Sequence, residues 1–92
     1  MVLIVTAYGK DNYFQKNHED IVGIYTDVER AIAGAQSDGM TSDQLDYLNK
    51  IDAFHQLNVA MEQKCFCEFQ VDYDCEDNDC KSSYMFKTYK LN

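Results

Sequence analysis

Apolar residues along this chain fall into alternating and helical rhythms, and the rhythms divide it into elements. Residues 2–8, Val2-Leu3-Ile4-Val5-Thr6-Ala7-Tyr8, form a nearly unbroken apolar run rich in β-branched side chains. Such a run predicts a strand buried on both faces. Residues 9–19 are polar and loop-like, with Tyr13 and Phe14 at their middle. Residues 20–25, Asp-Ile-Val-Gly-Ile-Tyr, predict a second strand that pairs with the first as an antiparallel hairpin.

The period then lengthens. Thr26-Asp27-Val28-Glu29 matches a capping box, in which the Thr26 hydroxyl accepts from the backbone N–H three residues on and Glu29 reaches back. Val28, Ile32 and Ala35 follow at helical spacing, and Gly39 is a suitable stop. A second helix is expected to start at Thr41 or Ser42, with Gln44 as the reciprocal partner of Thr41. Its apolar stripe runs through Tyr47, Ile51, Phe54, Leu57 and Met61 to about Gln63, and Asn58 interrupts it, predicting a bend or an end near Leu57.

Alternation returns at residues 65–73. Cys65, Cys67, Phe69, Val71 and Tyr73 share one parity, and Phe66, Glu68, Gln70 and Asp72 the other, as in a half-buried strand. Residues 84–91 supply a return strand. The order is β-β-α-α-β-β: a single-domain α+β protein over residues 1–92, with about four antiparallel strands and two helices packed on one face. No Pro, repeat or low-complexity linker marks a second domain.

Charge changes the picture most. The formal net charge is -8, and Asp72, Asp74, Glu76, Asp77 and Asp79 put five carboxylates into eight residues without a Lys or Arg. This acidic run occupies the tip of the late hairpin. A pI near 4.4 opposes direct binding to nucleic acid or anionic lipid, both of which require a basic stripe. It favours instead a basic protein surface as partner. No apolar run is long enough for a bilayer-spanning helix, and the short apolar start lacks a basic leader, so a cytoplasmic location is expected.

Candidate chemistry narrows the reading further. Asp72-x-Asp74-x-Glu76 imitates the opening of an EF-hand loop, but Asp77 stands where the turn requires Gly, and Ser83 where the ion requires a bidentate Glu. No metal is therefore assigned. Cys65, Cys67, Cys75 and Cys80 leave three readings open: small buried hydrophobes, a four-thiolate zinc site, or a Cys75–Cys80 disulfide. Sulfurs two residues apart on a strand lie about 6–7 Å apart, awkward for one tetrahedral ion, which favours Cys65 and Cys67 as buried hydrophobes. His18 and His55 lie in no recognisable motif, and there is no phosphate loop or nucleophile elbow. No cofactor and no catalytic residue is assigned, and a non-enzyme is expected. Tyr13, Phe14 and Tyr73 are candidate apolar anchors beside the acids, because aromatics dominate interface hot spots.

The segment Ile21-Val22-Gly23-Ile24-Tyr25-Thr26-Asp27-Val28-Glu29-Arg30-Ala31 resembles a pattern in small proteins of phages and mobile elements. In these a strand of Ile/Val-x-Gly-Val/Ile-Phe/Tyr type leads through a Ser/Thr cap into an Ala-rich helix. The resemblance covers residues 1–38 and implies a compact β-β-α start. In size and acidity the chain is also similar to phage-encoded inhibitors of host defence, including anti-CRISPR and anti-restriction proteins. Together these imply a viral inhibitor that blocks a host defence or nucleic-acid-processing protein through acidic docking, in its strongest form by DNA mimicry. The alternative is a module that sequesters a small molecule or nucleotide, or binds a metal.

Overall fold

The computed structural model describes residues 1–10, 17–72 and 83–90, and has the expected α+β architecture. Strands β1 (Val2–Lys10), β2 (Asn17–Tyr25), β3 (Glu68–Val71) and β4 (Ser83–Tyr89) form one sheet in the order β2-β1-β4-β3, with antiparallel neighbours throughout. Helices α1 (Val28–Asp38), α2 (Ser42–Lys50) and α3 (Ala53–Gln63) lie against one side of it. The two chain segments richest in β-branched and aromatic residues thus take the two central positions, where pairing is available on both edges.

Register sorts the side chains into two faces. Leu3, Val5 and Ala7 align with Thr88, Phe86 and Tyr84 of β4, and Phe69 and Val71 of β3 extend the same row. Against this row pack Val28, Ala31 and Ala35 of α1, Leu48 of α2, and Ala53 and Leu57 of α3. Leu3, Val5 and Phe86 are completely buried. Each such side chain contributes about 1.5–3 kcal/mol by leaving water. Burial of β1 on its second face is less complete than the apolar run predicts: Val2 and Thr6 are buried, but Ile4 and Tyr8 keep part of their surface in solvent.

Two glycines set how closely α1 approaches the sheet. The Tyr25 ring folds back across Gly23 on its own strand and against Gly34 of α1, and a Cβ at either glycine would collide with it. Glycine is required here by space rather than by backbone angle. At Gly39 the angle decides: φ is 130°, and its N–H closes α1 onto the Ala35 and Gln36 carbonyls, confirming the expected stop.

The caps are partly as expected. Thr41 and Gln44 form the predicted box, the Thr41 N–H donating to Gln44 Oε1 (2.9 Å) and the Gln44 N–H to Thr41 Oγ1 (3.2 Å). At α1 the cap shifts by one residue. Asp27, not Thr26, accepts the Arg30 N–H at 2.8 Å, and its other oxygen lies 3.3 Å from Arg30 Nε. A carboxylate caps as well as a hydroxyl, and here it gains the guanidinium besides.

The long second helix divides at Ile51–Asp52 rather than near Leu57 or Asn58. The Asp52 N–H turns back to the Asn49 carbonyl, and Asp52 adopts the left-handed conformation with φ 59°. Gln56 Nε2 donates to the Ile51 carbonyl released by the turn (3.2 Å). A continuous helix would place Tyr47 in the apolar stripe. The break instead turns Gln44 and Leu48 inward and leaves Tyr47 half exposed.

Candidate functional site

The side of the sheet away from the helices has no covering layer among the described residues. Its row on β1 and β4 is Val2, Ile4, Thr6, Tyr8, Ser83, Met85, Lys87 and Tyr89, with Glu68 and Gln70 on β3. Ile24 joins it by pairing with Ile4, and Ile21 by pairing with Thr6. Regular alternation would put Ile21 and Ile24 on opposite faces. A bulge in the β1–β2 register, opposite the Val5/Thr6 step, absorbs Val22 and swings Ile21 outward, while Val22 packs toward the core. Ile21 is 67% exposed, Ile24 62%, Phe66 69% and Tyr89 43%. The remaining exposed large apolar residue among those described, Tyr47, lies on α2.

Phe66 reaches this face through a polar anchor behind it. Buried Thr88 accepts the Cys67 N–H at 2.8 Å and its hydroxyl lies 3.0 Å from the Cys65 carbonyl, while the Thr88 N–H donates to the Cys67 carbonyl at 2.9 Å. Held there, the Phe66 ring takes the Lys87 ammonium at 5.5 Å from its centroid, and the Tyr89 ring takes it at 5.1 Å. Glu68 lies 3.9 Å from the same nitrogen. The Tyr89 hydroxyl first, and the Glu68 charge less, hold the Lys87 ammonium above the ordinary lysine value. The cation is thus drawn toward the aromatic rings and the Glu68 carboxylate while keeping part of its surface in solvent. Near the other end the Tyr8 hydroxyl donates to Glu19 Oε1 (3.3 Å) and sits 3.9 Å from Met85 Sδ; partial burial, then Glu19, raise its pKa.

Most of the sequence-predicted docking residues fall outside the described residues: Tyr13, Phe14, Tyr73, Asp74, Glu76, Asp77 and Asp79. Asp72 is described. It is exposed and accepts from Gln70 Nε2 at 2.9 Å. Topology does add a relation between the two groups. Lys10 pairs with Asn17, Tyr8 with Ser83, and Val71 with Tyr84, so the strand ends that flank residues 11–16 and 73–82 in the sequence lie at the same end of the sheet. Glu19, Asp20, Asp38 and Asp72, all exposed, belong to that end, Asp38 being fixed there by the Tyr84 hydroxyl at 2.8 Å. Burial first, and then Asp38, push the Tyr84 phenol far above its ordinary value.

The cysteine reading needs correction. Cys65 is exposed rather than a buried hydrophobe, lying three residues before the start of β3 at Glu68. Cys67 is half buried, and burial raises its thiol pKa, which opposes use as a nucleophile. Cys75 and Cys80 lie outside the described residues. Among the described residues no group of three His, Cys, Asp or Glu side chains gathers as metal ligands. His55 is exposed on α3, and no described helix is long and apolar enough to cross a membrane.

Sequence reasoning missed the open face. Phe66 did carry a signal, an aromatic on the polar parity of residues 66–72. Ile21 carried none, since its orientation depends on the bulge. No family model, curated protein or solved structure matches the chain.

Proposed function

We propose that this chain is a non-enzymatic binding protein that docks its acidic sheet end onto a basic surface of another protein, and that it acts as an inhibitor by occupying that surface. The observation that carries the reading is topological. The strand ends that flank Tyr13 and Phe14 in the sequence, and those that flank Asp74, Glu76, Asp77 and Asp79, lie at the one end of the sheet where Glu19, Asp20, Asp38 and Asp72 stand. Carboxylates concentrated at one pole steer a basic partner and fix its orientation, and aromatics beside them supply the desolvated contact. A host defence or nucleic-acid-processing protein fits the partner's chemistry, because its nucleic-acid-binding surface is basic. Scattered carboxylates at one pole favour docking at a limited site over imitation of a whole duplex.

The test is affinity capture from host lysate with the wild-type chain and with a variant carrying Asn at Asp72, Asp74, Asp77 and Asp79 and Gln at Glu76. A partner retained by the wild type, released by high salt and lost with the variant is the expected result. Equal capture of that partner by both chains, with unchanged salt dependence, overturns the proposal.

A further inference from the structure

The open sheet face has a different character from the acidic pole, and we infer that it packs face to face against the same face of a second copy of this chain. The inference does not depend on what the acidic pole binds. Four strands at about 4.8 Å spacing, with side chains presented over about 20 Å, make a face of roughly 400 Å² in projection and roughly 600 Å² of accessible surface. Two such faces together bury about 1,200 Å², the lower bound for a specific interface. The largest exposed apolar patch of a typical monomer is about 300–600 Å² and often marks an interaction site.

Charge selects a second copy as the occupant. The chain carries -8, so most of its surface repels another copy. The middle of this face does not: its charges are Lys87 and Glu68, 3.9 Å apart, with the ammonium between the Phe66 and Tyr89 rings. Among the described residues of this face, acid without a basic partner is confined to the rim at the acidic end of the sheet, at Glu19 and Asp72. The opposite end carries Lys90, next to Tyr89, and Lys64, next to Cys65, both exposed. A two-fold axis across the strands superposes the charge-paired middles of the two faces and sets the acidic rims of the two copies at opposite ends of the pair, so an isologous pair keeps them apart. Sheets packed in this way sit about 10 Å apart, a distance filled by residues the size of Ile, Met, Phe and Tyr.

The bulge supports the same conclusion. Turning Ile21 out of the protein gives the monomer nothing, since it places a large aliphatic side chain in water on an edge strand. Bulges re-aim side chains where an interaction uses them. With Ile24, Ile21 widens the apolar row across the β1–β2 half of the face, opposite the Phe66–Tyr89 half.

Sedimentation equilibrium of the full chain across the micromolar range tests the inference, alongside Ile24→Glu, Ile21→Ser and Tyr47→Glu, with far-UV circular dichroism on each. A wild-type dimer is expected. Ile24→Glu, which places an unpaired carboxylate in the interface, should weaken it about a hundred-fold, and the milder Ile21→Ser by about ten-fold. Tyr47→Glu, equally exposed but on α2, should leave it intact. Because both isoleucines are exposed, the folded spectrum should survive each change. A wild-type chain that is monomeric throughout, or a dimer dissociated by Tyr47→Glu and indifferent to Ile24→Glu and Ile21→Ser, overturns the inference.

Discussion

The two faces of the sheet are built from the same strands, yet they obey different rules. On the helix side, Leu3, Val5, Ala7, Phe86 and Tyr84 interlock with residues from all three helices and are almost wholly buried. On the other side, one residue along in each strand, Ile4, Tyr8, Met85 and Tyr89 stand beside Thr6, Ser83 and Lys87 with no described helix over them, and Ile21 and Ile24 extend the apolar part across β2. Ordinary α+β sheets with one solvated face place polar residues there. Here apolar and polar residues share the face, and the one cation of β4, Lys87, lies within reach of two aromatic rings. The difference separates residues that make the fold from residues held ready by it.

That distinction predicts very unequal responses to substitution. Phe86→Ala, in the centre of the covered face, should lose about 3–5 kcal/mol by urea denaturation at any protein concentration, through lost burial and a cavity. Ile24→Thr, on the open face, should stay within about 0.5 kcal/mol in dilute solution. Its deficit should grow as concentration rises, because association stabilises only the folded chain. A large, concentration-independent loss at Ile24 would break the comparison by making that face part of the monomer core.

Gly34→Ala sharpens the covered side. Alanine normally gains about 1 kcal/mol over glycine inside a helix. At residue 34 the new Cβ meets the Tyr25 ring, so a net loss of about 1–3 kcal/mol is expected. In a Tyr25→Ala background the ring is gone, and the same substitution should become stabilising. Chemical denaturation of the four chains gives the cycle.

The smallest effect concerns the Tyr84–Asp38 bond at the acidic pole. Folded Tyr84 keeps its proton above the pH near 10 at which an unfolded tyrosine releases it, because burial and Asp38 oppose the phenolate. The native state therefore binds more protons in that range. The contribution of Tyr84 is complete below about pH 10 and declines as pH rises from there. Tyr84→Phe should cost about 1 kcal/mol at neutral pH, by loss of the hydrogen bond, and should flatten the alkaline fall in stability. Parallel alkaline slopes for the two chains would show that the phenol ionises freely in the folded protein.

Much of this structure was legible in the amino-acid sequence because the signals are local. The strand at the start, the Thr41–Gln44 box and the Gly39 stop each depend on residues within a turn or two of one another, and each formed where expected, although the strand is fully buried on one face rather than two. The class, α+β with a four-stranded antiparallel sheet, follows from those elements in order. The acidic run Asp72, Asp74, Glu76, Asp77 and Asp79 is also a plain sequence fact. What required tertiary structure was every choice between near-equal local options. Asp27 and Thr26 are both good caps, and the nearness of Arg30 favours Asp27. A helix across residues 51 and 52 has no strong breaker, and only packing of Leu48 and Leu57 into one core divides it there. Ile21 faces out because of a register shift against β1, which its own neighbours in the chain cannot encode. The gathering of four strand ends at one pole, and the sheet face beside it that no described element covers, arise from pairings between residues some eighty positions apart, such as Leu3 with Thr88. Local chemistry specifies which elements form; the pairing of distant strands decides what those elements bury and what they leave exposed.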